Sequence, residues 1–600
     1  MKKFFTVLVL VFVICTSVFA AKYLSVPIDD SSYRIIDNAT YRGIVKAQTV
    51  VKPYSYSLVK ELLTEISSSD KLTDGEREVV LTKLKDLAIR YGETESSSFG
   101  QIMRNGYYYY GNDETNIQAG VEFLSQNRVG YKQHDGKILD SRNMFNLYFK
   151  GDMFGLFSYN ANVGINVDKV DTDAYLMQDF PIYPTANYIL PRHIADMADA
   201  TGILIGANYN PELSASFFDG KLNLRIGIVD RDWGPAIHNL DLSSSTKAFP
   251  AFEVSLQPFE WFHYSFLHGS LARFQIEYYE EVPWPSEHGY DTAYYDNMFS
   301  LHRADFTFGS FNIGIYENCV WRKRFELSYL VPFGIIQLIQ NDAGDFDNMM
   351  FGGDITYSIA EFGKIYFGVS VDEISHLNIK HFLTDPRHIF AFQGGVSVDG
   401  KLGNLSTLTF QATYIPPFYG AHFTRLADEN PWGTTSFETT YVSGGKNLFS
   451  PLDPDSVEFL LSYDVSLSPR VDLNVTVRDQ ARSAQYAIRN TGTDVMTTLD
   501  YEEVEDYANK DFIPNVWRNI LIVDANTEIS FEKLPVRLTL GVTGMIDWVR
   551  NFTVEPETTT SLQYNNGYFN PGTGACYTEW GGWNAPVFSA MANIGIKVYF

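Results

Sequence analysis

Cysteine is almost missing from this chain, with three in 600 residues. Cys15 lies in an apolar leader, so only Cys319 and Cys576 remain beyond it, and two thiols cannot form a disulfide framework. Long apolar runs are missing too: after the leader no stretch offers the roughly 18 consecutive apolar residues of a membrane-spanning helix. There is no His-Glu-x-x-His, no P-loop and no Gly-x-Ser-x-Gly. A Ser-His pair assembled from distant residues is not readable from spacing. His376 and His381 have no evident third ligand. Asp342, Asp345 and Asp347 lack the Gly and Glu spacing of a calcium loop and read as a solvated acidic turn. No metal or cofactor is expected. Positive charge is also short, with 46 Lys and Arg against 72 Asp and Glu and a net charge of -26. That argues against nucleic acid as a partner. No long Pro/Gly/Ser linker divides the chain, and no blade-length repeat marks a propeller.

What is present begins with "MKKFFTVLVLVFVICTSVFAAKY". Lys2 and Lys3, the apolar residues 4–14 and the small-residue site Val18-Phe19-Ala20 read as a cleaved secretory signal. The chain is expected to be exported. A lipid on Cys15 is the weaker alternative, because bulky Ile14 precedes it. Aromatics are abundant: 9 Trp, 38 Tyr and 44 Phe. Tyr and Trp favour membrane interfaces.

Two periodicities divide the rest of the chain. "YSLVKELLTEI" places Leu58, Val59, Leu62, Leu63 and Ile66 on one helical stripe, with Ser55 or Ser57 as starter. "TDGEREVVLTKLKDLAIRY" places Val80, Leu84, Leu87 and Tyr91 on another, and Thr73 with Glu76 has the spacing of a capping box. A helical hairpin is predicted over residues 55–91, with apolar stripes that need a surface to cover. From about residue 105 the period becomes two. "KLNLRIGIV", "STLTFQATY", "LSYDVSLSPRVDLNVTV" and "VRLTLGVTG" all alternate apolar with polar residues, as half-buried strands do. Some connectors are tight, at Asp219-Gly220, Asp399-Gly400 and Ser468-Pro469. Others are long and polar, around 280–300, 425–450, 485–515 and 553–585. Short turns on one side and long loops on the other describe an outer-membrane barrel, and about 25 to 30 residues per strand and connector gives about 16 to 20 strands. A soluble β-sandwich is the competing fold. The final "MANIGIKVYF" also alternates, and its strand is expected to pair with the first to remove the edge. Phe600 then sits at the aromatic girdle, where assembly machinery is expected to recognise it.

Arg225, Glu317, Arg322, Asp372, Glu373, Asp464, Asp472, Arg478 and Arg537 fall on or beside strands. A charge on a lipid face costs about 2 to 4 kcal/mol near the midplane, so these are expected to face the lumen or lie near a rim. There they brace the interior or select a ligand. Two loop stretches, "WPSEHGYDTAYYDN" (284–297) and "YTEWGGWN" (577–584), carry Tyr290, Tyr294, Trp580 and Trp583. Flat rings cover the apolar faces of sugars, so these four with Glu317, Asp372 and Glu373 are the candidate ligand contacts. Packing within their own loops is the competing role.

Several segments resemble the Wzi-type capsule-assembly family of outer-membrane proteins. "VPIDDSSYRIIDNATYRGIVKAQTVVKPYSYSLVKELL" resembles that family's opening. "GPAIHNLDLSSSTKAFPAFEVSL", "FNIGIYENCVW" with Gly314 and Glu317, and "DFDNMMFGGDITYSIAEFGKIYFGVSVDEI" follow in the family's order, as do "AFQGGVSV", "YIPPFY" and "SPLDPDSVEFLLSYD". The likeness runs from the leader to about residue 480. The resemblance implies a barrel of about 18 strands with a periplasmic helical plug, and a lectin-like, non-catalytic role in holding surface polysaccharide. The expected division is a signal at 1–20, a helical plug region at 21–98 and a transmembrane barrel at 99–600. The expected partners are the outer-membrane bilayer, surface polysaccharide and, through Phe600, the barrel-assembly machinery. A porin-like or substrate-specific channel is the alternative function, and a loop-borne adhesin a third.

Overall fold

The structure, a computed structural model, describes residues 21–93, 107–111, 115–133, 136–169, 203–246, 248–271, 297–322, 326–331, 333–336, 338–339, 347–374, 388–416, 419–420, 441–443, 446–452, 456–483, 517–531, 534–550 and 586–599. Phe600 and the leader lie outside them.

Alternation becomes a closed antiparallel barrel of 18 staves. In chain order these are β1 Asn116–Lys132, β2 Gly136–Met153, β3 Phe157–Lys169, and β4 in two pieces, Ile203–Tyr209 and Glu212–Phe217. Next come β5 Leu222–Val229, β6 Phe249–Phe259, β7 Phe262–Ser270, β8 Asn297–Phe308, β9 Phe311–Arg322 and β10 Asp347–Ile359. The ring continues with β11 Gly363–Glu373, β12 Ile389–Asp399, β13 Asn404–Ile415, β14 Ser456–Ser468 and β15 Val471–Ser483. It ends with β16 Trp517–Ser530, β17 Val536–Arg550 and β18 Val587–Tyr599. Every neighbour pair is antiparallel, and β18 closes on β1 from Ser589↔Lys132 to Tyr599↔Glu122. The short strand Tyr107–Gly111 covers the rest of β1, from Tyr107↔Gly120 to Gly111↔Asn116. No edge is left there to recruit another chain.

The predicted registers hold in detail. Leu461 faces Val477, Tyr463 faces Val475 and Val465 faces Leu473 across the hairpin of β14 and β15. Ile226, Ile315, Ile355, Phe410, Leu461, Val542 and Ile594 are exposed on one parity, and they form an apolar band around the outside. Aromatics collect at the short-turn end of that band. Trp261 stacks on Phe259 with centroids 5.4 Å apart, and Phe311 stacks on Tyr357 at 4.5 Å. Such a girdle marks a membrane–water boundary.

One stretch of the outer parity is polar. Between β1 and β2, Ser125 donates to Asn143, whose amide donates to Ser141; Ser141 donates to Asn127, whose amide returns to Ser125, at 2.7 to 3.1 Å. Alternation by polarity alone would turn these four inward. The closed cycle satisfies them among themselves, which removes most of the cost of facing lipid.

The N-terminal residues fold as three helices: α1 Ser32–Tyr41, α2 Tyr56–Ser67 and α3 Asp74–Arg90. Ser55 caps α2, and Thr73 with Glu76 forms the anticipated capping box of α3. Val59, Leu62, Leu63, Ile66, Val80 and Leu87 meet in one core, with Leu58 and Leu84 partly buried at its margin. Helix α1 is not among the elements anticipated from the sequence, although Tyr33, Ile35, Ile36 and Ala39 form one apolar stripe at helical spacing. Tyr33, Ile35, Ile36 and Ala39 join the helical core, while Arg34 and Asn38 point at the barrel wall.

This unit is stitched across the short-turn mouth. Arg34 donates to Leu405 O at 2.6 Å and to Asp472 Oδ1 at 2.6 Å, and Asn38 donates to Ser406 O at 2.6 Å. On the opposite wall Ser25 N donates to Glu212 Oε1 at 2.9 Å, and Arg225 donates to Pro53 O at 3.1 Å. Inside the unit, Asp30 meets Lys83 at 3.4 Å and Arg90 at 3.0 Å. Burial alone would push the Asp30 carboxyl up, but Lys83, Arg90 and the Ser32 amide together hold it well below the usual carboxylate range. A depressed carboxyl contributes stability that is complete above its unfolded pKa of about 4 and drains away as pH falls below that. Acidification from pH 4 towards pH 2 is therefore expected to loosen the helical unit progressively and open it to protease. Asp30→Asn should remove that pH dependence and cost about 3 to 5 kcal/mol at neutral pH, because it removes the buried carboxylate that Lys83 and Arg90 both meet. An unchanged cleavage profile in the variant would reject this account.

Candidate functional site

The far half of the lumen is filled from the long-loop end. Residues 230–246, between β5 and β6, fold inward instead of outward. Trp233 pairs with Val51 of the helical unit in a two-residue ladder, and the Trp233 ring is buried. Gly234 has φ of +126°, and a Cβ there would sit 2.3 Å from Asn239 Oδ1, so the turn requires glycine. Gln411 donates to Ile237 O at 2.7 Å and accepts from Ile237 N at 2.9 Å. Gln393 donates to His238 O at 2.9 Å, and Lys364 donates to Pro235 O at 2.7 Å. The sequence segment "GPAIHNLDL" is thus a lumenal lock held by three strands. Burial, followed by the distant Arg478 charge, pushes His238 down to about 4, so its ring is neutral at physiological pH.

At the lock's tip sits a buried charge cluster. Arg303 of β8 is fully buried and donates to Asp241 at 2.8 Å, to Asp305 at 2.7 Å and to Asp354 at 2.6 Å. Gly314 lies beneath the guanidinium; a Cβ there would come within 2.1 Å of Arg303 Nη2. Burial pushes Asp241 up to about 8, with Asp354 adding repulsion against the pull of Arg303. Beside this cluster, Asn239, Asp241, Tyr316, Asp354, Tyr366 and Gln393 line a gap of ≈ 10 Å³, room for about one water.

The two sides of the lumen differ. Against β6–β13 the lock packs an apolar core that includes Trp233, Leu242, Phe249, Leu267, Phe299, Leu301 and Met350. Tyr419, Tyr441, Leu448 and Phe449, from the chain between β13 and β14, complete it. The opposite wall, β1–β3 and β14–β17, presents polar groups: Glu122, Arg142 and Asn166, then Asp472, Asn474, Arg478 and Asp524. Arg478 meets Asp524 at 3.1 Å, and Asn474 donates to Asp464 at 2.7 Å. Arg537 reaches Glu528 at 3.0 Å. These charges brace the interior, as expected of an inward parity.

The candidate contacts named from sequence scatter. Tyr290, Tyr294, Trp580 and Trp583 lie outside the described residues, as does the side chain of Glu373. Asp372 faces inward and accepts from Gly420 N at 2.8 Å, so it fastens the filling instead of lining an open groove. Glu317 does not face the lumen. Its strand parity is that of exposed Ile313 and Ile315, and it accepts from Ile336 N at 3.0 Å on the outer wall. The reason is register: the inward places of β9 are Gly314, Tyr316 and Asn318, opposite Asp305, Arg303 and Leu301. The Arg303 cluster escapes sequence reasoning. Arg303, Asp305 and Asp354 share the inward parity, which is legible, but their meeting depends on strand pairing. Among the described residues no group of His, Cys, Asp and Glu could hold a metal ion.

A closed 18-stave barrel with an apolar outer band, an aromatic rim and a stitched helical unit defines the outer-membrane type of β-barrel fold. Among solved structures, the chain is similar to Wzi of Escherichia coli, described as an outer-membrane protein involved in group 1 capsule assembly and a carbohydrate-binding β-barrel. The TM-score is 0.51 at 11% identity, over 95% of this chain and 98% of that one. It also matches OccAB2 of Acinetobacter baumannii (TM-score 0.40, 10% identity, 80% and 98% covered) and OpdK of Pseudomonas aeruginosa (0.39, 10%, 80% and 99%). No family model and no curated protein sequence matches the chain.

Proposed function

We propose that the chain resides in the outer membrane and holds or organises surface polysaccharide by lectin-like contact, without catalysis. The observation that carries this reading is the filling of the lumen. The helical unit spans one mouth, and the 230–246 lock with Tyr441, Leu448, Phe449 and Leu452 fills much of the other half. A barrel so filled suits binding better than bulk flow. Supporting it are the fold likeness to a barrel described as carbohydrate-binding, and the Tyr- and Trp-rich loop stretches that offer flat rings to sugars. Tyr290, Tyr294, Trp580 and Trp583 are the proposed sugar contacts, with Glu373 nearer the wall. Cleavage of residues 1–20, a plug region bounded at residue 98, and recognition of Phe600 by assembly machinery belong to the same proposal.

The test pairs two measurements. The cell's own surface polymer should be pulled down by the intact protein, and the captured amount should fall about tenfold for Trp580→Ala with Trp583→Ala, equivalent to about 1.4 kcal/mol. Planar bilayers holding the protein should stay nearly silent. A second reading, a narrow substrate channel along the polar wall of β1–β3 and β14–β17, is favoured by the hydrophilic residues there. Porin-like current with no polymer capture would establish that reading and reject the first.

A further inference from the structure

The outer wall carries a second polar patch, and it is roofed. Register places His268, Ser300 and Cys319 in one row across β7, β8 and β9, and Phe266, His302 and Glu317 in the next. Both rows share the outward parity of Phe308, Phe311, Ile313 and Ile315, while Leu301, Arg303 and Asp305 between them point inward. Left bare, two imidazoles, a hydroxyl and a carboxyl would face hydrocarbon near the long-loop end. Charged and polar groups at such depth cost kilocalories each.

The chain between β9 and β10 returns over this patch. Ser300 donates to Tyr329 O at 3.1 Å, and the Tyr329 hydroxyl donates to Asp347. Tyr264, bonded to His302 at 3.1 Å, accepts from Phe333 N at 2.9 Å, and its ring stacks on Phe333 at 4.1 Å. Ile336 N binds Glu317, and the side chains of Tyr329 and Ile336 pack on Cys319 and Trp321. Much of the roof's own described backbone is also paired. The N–H groups of Leu330, Val331, Gly334, Leu338 and Ile339 donate to carbonyls three or four residues back. Its outward side is apolar: Leu327 is 66% exposed, Phe333 59%, Ile335 56% and Leu338 60%. Among its described residues, a segment that satisfies these N–H groups, buries its polar contacts and exposes only large hydrophobes has the composition demanded by lipid, not water.

We propose that the described residues of 326–339 form an amphipathic roof that lies in the bilayer on the outside of the barrel and contacts lipid acyl chains. It restores the apolar band where the wall itself is polar. The occupant of its face is lipid, because that face continues the band of Ile313, Ile315 and Phe351 without a break in chemistry. The long-loop end puts it in the outer half of the membrane. The hydrophobes of "ELSYLVPFGIIQLI" thereby become a lipid anchor instead of a water-exposed loop.

Spin labels on cysteines placed singly at Val331, Ile335 and Leu338 test this, in protein reconstituted into phosphatidylcholine vesicles. References are labels at Ile315 on the band and at Lys401 in a short turn. Heat-modifiable gel migration confirms that each labelled protein is folded, and any position that fails is replaced by Leu327. Collision with a water-soluble nickel chelate should be about tenfold lower at the roof than at Lys401, while oxygen collision matches that at Ile315, since polar solutes are excluded from hydrocarbon. Roof labels that report water while Ile315 reports lipid would overturn the roof and leave the membrane barrel standing. An Ile315 label in water would overturn the membrane residence itself, and the roof with it.

Discussion

Replacing Arg303 with methionine is expected to cut the folded fraction of the barrel sharply, at a cost of about 3 to 5 kcal/mol. The side chain is fully buried and answers Asp241, Asp305 and Asp354 at 2.6 to 2.8 Å. Removing the guanidinium leaves three buried carboxyls crowded together without the group that all of them meet. Urea titration of the detergent-refolded protein, read by heat-modifiable migration, measures the loss. Adding Asp305→Asn and Asp354→Asn to the same variant should recover most of it, because a neutral cluster no longer needs the guanidinium. An unfolding free energy that moves by less than about 0.5 kcal/mol in the single variant would mean that the cluster is incidental to folding. The same cluster has a pH signature. Asp241 titrates near 8 in the folded chain against about 4 unfolded, so the folded state holds its proton more tightly between those values. Its contribution to stability is therefore greatest at low pH and declines as pH rises from about 4 to 8. Asp241→Asn should flatten that decline.

The second large effect concerns the helical unit. Leu63 is buried at 0% exposure in the middle of its core. Leu63→Asp places a carboxylate among Tyr56, Val59, Ile66 and Val80 with no cation to meet it, which should cost several kcal/mol. The barrel closes through its own ladders and should persist, whereas the helices should come away from the mouth. Bilayer recordings of this variant are expected to gain current if the lock at residues 230–246 leaves a path along the polar wall. They should stay silent if the lock alone seals the lumen. Pairing Leu63→Asp with Gln411→Ala and Gln393→Ala, which release Ile237 and His238, separates the two seals. A triple variant that folds and still passes no current would show that neither segment controls access.

Much of the fold is legible in the chain. Period two over each stave announces the outer band, and the hairpin at Ser468-Pro469 has the register that its sequence suggests. The caps at Ser55 and Thr73 are readable because a cap depends only on residues three apart. Helix α1 also carries an apolar stripe, Tyr33, Ile35, Ile36 and Ala39, but no capping side chain marks its start. The site is far less visible. Polarity as a guide to facing fails at Glu317, Ser125 and Asn143, whose neighbours satisfy them on the lipid side. It succeeds at Arg225, Asp472 and Arg478.

The amino-acid order by itself determined what depends on near neighbours: where strands run, which side chains share a face, where turns fall and which helices start where. Only the tertiary structure decided what fills and covers the cylinder. The 230–246 lock, the Arg303 cluster and the roof at 326–339 each join residues tens to hundreds of positions apart. Their stability comes from pairing groups that are costly alone, and no local pattern announces a partner that arrives from elsewhere in the chain.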